Sequence, residues 1–224
     1  MNNCELNDLY DTGFKIYQSK DYFKFSLDSL LLANFVEFNF TDKLVLDLCT
    51  GNAPVPIILS ENKKIKIYGF ELQKEIYELA VKSIKVNQID NVEIINDDVK
   101  NSLNYFPGNN FDIVTCNPPY FKYTKNSIIN ENEIKSIARH EIKITLEDII
   151  KIATKQLKAK GKFYIVHRSD RLIEIINCLN KYNFGIKKLQ FVYSSIDANS
   201  SMVLIEAKKD CKNDVKVLKP IIKK

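Results

Sequence analysis

The chain has few of the residues that build linkers, metal sites and disulfide frameworks. Its 224 residues include six glycines, six prolines, two histidines and no tryptophan. So few glycines and prolines leave no room for a flexible linker or a collagen-like repeat. The five cysteines are widely spaced without a C-x-x-C pair, which argues against a disulfide framework and a structural zinc site and favours a reducing compartment. We therefore expect no metal.

Segments that would send the chain to a membrane are also missing. Residues 2–6 lack the basic-then-apolar order of a signal peptide, and no apolar run approaches the ~18–20 residues needed to cross a bilayer. We expect a cytoplasmic protein with no membrane partner.

What is present is an ordinary globular composition. Hydrophobic residues make up 45% and charged residues 27%, which excludes a disordered chain. The length fits one α/β domain with a short appendage. The net charge of +5 is compatible with a polyanionic partner, but a lysine-rich composition gives the same value without one.

Strand and helix patterns alternate along most of the chain. Short branched apolar runs are typical of strands buried on both faces, and the segments between them have helical spacing. This order predicts βαβ units and a mostly parallel sheet of seven strands, closed by a late antiparallel hairpin, with helices on both faces. The predicted strands are 44–48, 65–70, 92–96, 111–116, 162–166, 187–193 and 202–207, and the predicted helices are 30–36, 54–60, 73–87, 145–157 and 171–181.

Acidic residues follow three of these strands. Asp47 ends the first, with Gly51 in the turn behind it; Glu71 ends the second; and Asp98, beside Val99, follows the third. Ligands of open α/β sheets bind at the carboxyl ends of the strands, and a carboxylate about twenty residues after the first turn is the usual partner of a ribose. The pattern indicates a nucleoside-bearing cofactor.

The fourth strand is followed by Asn117-Pro118-Pro119-Tyr120. A turn explains two prolines and an asparagine, but it does not require this order. Pro119 restricts Pro118 to extended geometry, which would aim the Asn117 side-chain oxygen and a nearby carbonyl into one space beside the Tyr120 ring. Two acceptors beside an aromatic plate suit a planar amine, whose nucleophilic form they would stabilise. Residues 117–143, which have weak periodicity, form either a functional or a disordered loop.

These motifs resemble those of class I S-adenosylmethionine-dependent methyltransferases, and Asn117-Pro118-Pro119-Tyr120 resembles their amino-methylating branch. From about residue 14 to residue 208 the chain is similar to the bacterial tRNA adenine-N6-methyltransferases, which modify adenosine 37 beside the anticodon of a valine tRNA. The supporting blocks are residues 23–33, 138–142, 161–168 and 202–206. The resemblance implies a Rossmann-like class I fold and methyl transfer from S-adenosylmethionine to N6 of an adenine in tRNA.

The resemblance also implies roles for single residues. Asn117, Pro118 and Tyr120 would be catalytic, and the N-terminal segment 1–40 would close over the cofactor held by domain 41–208. One departure concerns the usual glycine-rich loop, where Cys49 and Ala53 replace glycines and reduce backbone freedom. The residues implied to bind the cofactor are Phe25, Ser26, Asp28, Asp47, Gly51, Asn52, Glu71, Asp98, Val99 and Asn117.

RNA contacts are expected around the mouth of the site. Arginine binds phosphate bidentately and stacks on bases, so the chain's three arginines are favoured over its lysines. The basic tail 209–224 is either a phosphate-binding strip or a solvated terminus. The oligomeric state is unassigned, with a monomer favoured. The candidate RNA-contacting residues are Tyr120, Phe121, Lys122, Arg139, His140, Arg168 and Arg171.

Three alternatives stay open at this level. A methyltransferase with the same motif would act on guanine N2 of ribosomal RNA or on a protein glutamine. A non-catalytic RNA-binding module would have lost the cofactor through Cys49 and Ala53. A nucleotide-dependent dehydrogenase lacks its glycine fingerprint here and gives the Asn-Pro-Pro-Tyr motif no role.

Overall fold

The computed structural model describes residues 4–19, 27–120 and 143–223. The helices of this part are α1 (Leu27–Phe35), α2 (Pro54–Leu59), α3 (Lys74–Val86), α4 (Ser102–Tyr105), α5 (Leu146–Gln156) and α6 (Leu172–Lys181). The strands are β1 (Cys4–Asp8), β2 (Lys15–Ser19), β3 (Leu44–Asp47), β4 (Lys66–Phe70), β5 (Val92–Ile95), β6 (Phe111–Cys116), β7 (Leu157–Arg168), β8 (Phe184–Tyr193), β9 (Ser200–Lys209), β10 (Lys216–Val217) and β11 (Ile221–Ile222).

The central sheet has the order β10-β8-β9-β7-β6-β3-β4-β5, and β11 also pairs with β8. The strands β3 to β7 pair in parallel, whereas β9 lies antiparallel between β7 and β8. The predicted fold class is confirmed, including the closing hairpin. The two-residue strands β10 and β11, which the sequence patterns do not predict, extend the described sheet from seven strands to nine.

Apolar side chains cover both faces of the sheet. One face packs against α5 and α6 through residues such as Leu46, Val114 and Ile165. The other face packs against α1, α2 and α3 through residues such as Val45 and Ile113. Alternate residues of β3 and β6 therefore enter opposite cores, which is how a parallel strand covered on both sides buries itself.

Helix α5 shows how the sequence fixes an element's start. The Thr145 hydroxyl accepts a hydrogen bond from the backbone N–H of Asp148, and the Asp148 carboxylate accepts one from the Thr145 N–H. This reciprocal capping box satisfies two amides that a helix start otherwise leaves unpaired. The helix predicted at 145–157 is therefore confirmed, and its start is fixed by its own side chains.

An N-terminal hairpin of β1 and β2 packs beside α3. The Tyr17 amide donates to the Ser83 hydroxyl, with an N···O distance of 2.9 Å, and the Lys15 amide donates to the Asn87 side chain at 2.8 Å. These long-range contacts hold the hairpin on α3, whereas its own mixed sequence has no alternating strand pattern.

Within residues 4–19, 27–120 and 143–223, no helix combines the length and apolarity needed to cross a membrane. No group of three or more His, Cys, Asp or Glu side chains there is placed to hold a metal ion.

Candidate active site at the carboxyl edge of the sheet

Asp47 ends β3 as a buried carboxylate with 2% of its surface exposed. It accepts hydrogen bonds from the hydroxyls of Thr115, at an O···O distance of 2.6 Å, and Thr50, at 2.9 Å. Burial raises the pKa of Asp47 to about 6, although the two hydroxyls partly offset the effect. Two hydroxyl groups offset only part of the cost of burying this charge, so a cationic ligand would stabilise the ionised carboxylate.

Glu71 follows β4 and lies next to the turn after β3. It accepts the backbone N–H groups of Gly51, at 2.9 Å, and Gln73, at 2.8 Å. Burial raises the pKa of Glu71 to about 7 against these hydrogen bonds, and the charge of Asp47 contributes in the same direction. Each carboxylate oxygen keeps a second acceptor position, which suits a pair of ribose hydroxyls.

The turn after β3 leaves space for a ligand at Gly51. Its φ of +57° is in the left-handed region, and a Cβ atom built there meets no atom within 4 Å. Ala53 also adopts a left-handed φ of 70° and is fully buried. The Asn52 side chain donates to the Tyr17 carbonyl at 3.0 Å, which ties this turn to β2. The turn therefore forms despite its missing glycines.

Asp98 and Val99 lie at the start of the turn after β5. The Asp98 carboxylate accepts the Lys100 amide at 2.9 Å, and Val99 is buried against the core. Nearby, the Asn96 side chain donates to the Glu71 carbonyl at 2.9 Å, so it fixes the loop that carries the Glu71 carboxylate. The ends of β3, β4 and β5 thus share one edge of the sheet.

Asn117 follows β6 at the same edge, and both of its side-chain groups are bonded. Its Nδ2 donates to the Ser29 hydroxyl of α1 at 2.9 Å, and its Oδ1 accepts the Tyr120 hydroxyl. The Tyr120 hydroxyl also lies 3.2 Å from Oδ2 of Asp28. Pro118 between them is buried. The first turn of α1 therefore holds the Asn-Pro-Pro-Tyr motif.

His167 and Arg171 both contact Tyr120, His167 at the ring and Arg171 at the backbone carbonyl. The His167 ring centroid lies 5.3 Å from the Tyr120 ring centroid, and its Nδ1 accepts the Arg168 amide at 2.8 Å. Complete burial, aided by the charge of Arg171, lowers the pKa of His167 to about 3, so the imidazole is neutral. The Arg171 guanidinium donates to the Tyr120 carbonyl at 3.2 Å and pairs with Glu174 at 2.8 Å.

The structure brings together Asp47, Gly51, Glu71, Asn117 and Tyr120, with Asp98 and Val99 at the same edge. The predicted RNA contact Arg168 is half-buried at this edge and pairs with Asp170. Six predicted site residues lie outside the described residues: Phe25, Ser26, Phe121, Lys122, Arg139 and His140.

Sequence reasoning missed Ser29, Thr50, Thr115 and Lys223. The two threonines bond Asp47, Ser29 bonds Asn117, and the Lys223 ammonium lies 3.6 Å from the Asp28 carboxylate. Small hydroxyl side chains occur throughout the chain, so the sequence does not single these ones out. Their roles depend on contacts between residues far apart in the sequence, such as Ser29 and Asn117, which are 88 positions apart.

Fold and site together define a class of protein. A mostly parallel α/β sheet with buried carboxylates after β3 and β4 and an Asn-Pro-Pro-Tyr motif after β6 is the arrangement of a Rossmann-like methyltransferase. The family model described as "Methyltransferase small domain" matches residues 24–186, and the chain belongs to that family.

Known proteins show the same likeness. The tRNA1(Val) (adenine(37)-N6)-methyltransferase of Cytophaga hutchinsonii is 21% identical over 81% of this chain and 75% of its own. A crystal structure of a predicted O-methyltransferase from Agrobacterium tumefaciens, 20% identical, superposes with a TM-score of 0.70 over 87% of this chain and 86% of its own. TYW2 of M. jannaschii in complex with AdoMet is 15% identical, with a TM-score of 0.63 over 93% of this chain and 86% of its own.

Proposed function

We propose that this methyltransferase transfers a methyl group from S-adenosylmethionine to N6 of an adenine in tRNA, namely adenosine 37 beside the anticodon of a valine tRNA. The observation that carries the proposal is the fixed Asn117 amide after β6, beside the Tyr120 ring. Eight relatives that are 19–28% identical to this chain, all named tRNA1(Val) (adenine(37)-N6)-methyltransferases, support the choice of acceptor. We further propose a cytoplasmic monomer that uses no metal.

The residues at the strand ends fit this cofactor. Glu71 would accept the ribose hydroxyls, and Asp98 with Val99 would hold the adenine. Asp47 and the open space at Gly51 would receive the methionine end, where the cationic sulfonium favours a buried carboxylate. When bound, S-adenosylmethionine supplies an electrophilic methyl group.

The target amine would be activated by acceptors on the protein. Its lone pair is delocalised into the adenine ring, so the free amine is a poor nucleophile. A hydrogen bond from the amine to Asn117 Oδ1, with a second to a nearby main-chain carbonyl, favours the pyramidal form and stabilises the developing positive charge. Tyr120 would stack on the extruded base, which contributes about 1–3 kcal/mol.

Proton removal needs no general base on the protein. The nitrogen lone pair would form the new N–C bond as the bond between the methyl group and sulfur breaks, so that its electron pair goes to sulfur and S-adenosylhomocysteine leaves. The resulting cationic amine is strongly acidic, so water would take its proton. His167 fits this view, because a buried imidazole with a pKa of about 3 stays neutral and does not shuttle protons near neutral pH. Rate enhancement would come from positioning and desolvation.

Tyr120 shares an acceptor with the target amine. Its hydroxyl occupies one of the two acceptor positions of Asn117 Oδ1, and Asp28 lies within reach as an alternative acceptor. The entering amine would bond to the second position of Oδ1, and the hydroxyl can yield the first position by bonding to Asp28.

The test is product analysis with the purified full-length protein. Unmodified valine tRNA transcript and S-adenosylmethionine are incubated with wild type and with Asn117→Ala, and the nucleosides are separated by mass spectrometry. We expect N6-methyladenosine with wild type only. Formation of N2-methylguanosine, or methylation of a release-factor glutamine in place of tRNA, would assign the site to another acceptor.

A further inference from the structure

The last described residues form an ordered C-terminal arm, residues 211–223, along the outer edge of β8. Backbone amides of the arm donate to β8 carbonyls at three points, with N···O distances of 2.8–3.0 Å: Asp214 to Ile186, Leu218 to Leu189 and Lys223 to Tyr193. The side chains of Leu218 and Ile221 pack against the apolar core. The arm is therefore fixed in place, and a ligand that binds to it does not have to order it first.

The arm carries an excess of positive charge. It contains four lysines and one acidic residue, Asp214. Lys216 and Lys219 are exposed, and among the described residues neither has a carboxylate within ion-pair distance. Elsewhere several exposed lysines are neutralised, such as Lys181 by Glu147 and Lys15 by Asp8. Unpaired lysines in a fixed row attract a polyanion.

The row leads to the candidate active site. The arm runs parallel to β8, whose carboxyl end lies at the catalytic edge of the sheet. At that end, the Lys223 ammonium lies 3.6 Å from Asp28 Oδ1, and Asp28 Oδ2 lies 3.2 Å from the Tyr120 hydroxyl. The distance from Lys216 to Lys223 along extended backbone is about 23 Å, which is long enough to contact several phosphates.

We propose that the arm is a docking strip for the phosphate backbone of the tRNA substrate and guides the RNA towards Tyr120. The inference rests on the proposed function, because the strip ends where the target base has to enter. A strand that only covered the edge of β8 could also carry Lys216 and Lys219, because lysines on an edge strand prevent pairing with another chain, but these lysines would then contribute nothing to tRNA affinity. Removing these two charges therefore separates the two roles.

The experiment compares two double variants of the full chain, each of which removes two positive charges. K216Q/K219Q removes the unpaired arm lysines, and K64Q/K85Q removes two exposed lysines near the opposite edge of the sheet. Each protein is titrated with unmodified valine tRNA transcript at several salt concentrations. We expect K216Q/K219Q to weaken tRNA binding about tenfold at 0.1 M salt and to lower the slope of log Kd against log salt by about 2.

The control variant is expected to bind tRNA like wild type, and both variants are expected to keep the wild-type Tm and cofactor affinity. Equal tRNA affinities and equal salt slopes for the two variants would overturn the proposal. So would an affinity for anionic lipid vesicles that K216Q/K219Q loses while its tRNA affinity stays unchanged. If the proposed function itself fails, wild type forms no N6-methyladenosine in the transcript, which is a separate readout.

Discussion

At the scale of single residues, Asn117 is the residue that we propose binds the target amine. Its amide is held by the Ser29 hydroxyl, so its oxygen lies at a fixed position after β6. We expect Asn117→Ala to lower kcat by on the order of 10²-fold or more, which is the cost of losing one preorganised polar group. Isothermal titration with S-adenosylmethionine provides the control, because the carboxylates proposed to bind the cofactor, Asp47 and Glu71, follow β3 and β4 and are unchanged in this variant. An equal loss of cofactor affinity would contradict the assigned role.

Two substitutions of Tyr120 separate the contribution of its ring from that of its hydroxyl. Tyr120→Phe keeps the ring and removes the hydroxyl that competes for Asn117 Oδ1, so we expect kcat/KM for tRNA to stay within a few-fold of wild type. Tyr120→Ala removes the stacking surface and should lower kcat/KM roughly 5- to 150-fold. Single-turnover kinetics measures both. If the two variants lose activity equally, the hydroxyl and not the ring is what the reaction needs.

The raised pKa of Asp47 makes the free energy of unfolding depend on pH. In the cofactor-free folded protein its pKa is about 6, whereas in the unfolded chain it is about 4. The folded state therefore binds more protons in this window, and stability falls as pH rises through it. We expect Asp47→Asn to stabilise the protein at pH 8, on the order of 1–3 kcal/mol, and to have little effect near pH 4. Thermal unfolding at the two pH values measures the difference.

Asp112→Asn is the matched control with the opposite sign. Burial alone would raise the pKa of Asp112, but Lys158 and two backbone amides outweigh burial and lower it. Its stabilising effect is present at pH 8 and is lost as the pH falls through its lowered folded-state pKa. We expect Asp112→Asn to destabilise at pH 8. A destabilised Asp47→Asn at pH 8 would contradict the account of Asp47.

At the scale of elements, Arg171 joins the start of α6 to the loop after β6. Its guanidinium bonds Glu174 and the Tyr120 carbonyl at once, a geometry that lysine cannot reproduce. We expect Arg171→Lys to lower kcat about tenfold with little change in tRNA affinity. Arg168, which is more exposed, provides the comparison, and Arg168→Lys should mainly change tRNA binding. If Arg171→Lys changes the tRNA Kd and its salt slope instead, then Arg171 contacts RNA directly.

The sequence predicts those elements whose burial is encoded in their own apolar pattern. The strands β3 to β9 have branched apolar runs, and α3 and α5 have one apolar face, so local patterns are sufficient for them. The hairpin of β1 and β2 packs on α3, and the short strands β10 and β11 pair with β8, so all four strands depend on contacts that local patterns do not record. Their mixed sequences carry no period. Their placement could not be read from local sequence.

The site was predictable where a motif follows a strand. Glu71 and Asn117 stand at strand ends, and topology alone brings such ends to one edge. The partners that hold them were not predictable, because Ser29 reaches Asn117 only when α1 packs over the sheet. The same limit applies to Arg171, which the sequence suggested as an RNA contact and which the structure places against the Tyr120 backbone.

At the scale of the whole molecule, one edge of the sheet collects the functional parts. Five parallel strands bring Asp47, Glu71 and the Asn-Pro-Pro-Tyr motif to this edge. Helix α1 contacts the motif, and the C-terminal arm, with its unpaired lysines, runs towards the same edge. The net charge of +5 said little about a partner. Lys216 and Lys219 place part of that positive charge on an arm that runs along the outer strand to the mouth of the site.

The most direct test of this account is nucleoside analysis of valine tRNA from cells with and without the gene, and from cells complemented with Asn117→Ala. The account predicts N6-methyladenosine at position 37 with the wild-type gene, its absence without the gene, and a strongly reduced level with Asn117→Ala. Unchanged N6-methyladenosine in valine tRNA from cells that lack the gene would contradict it.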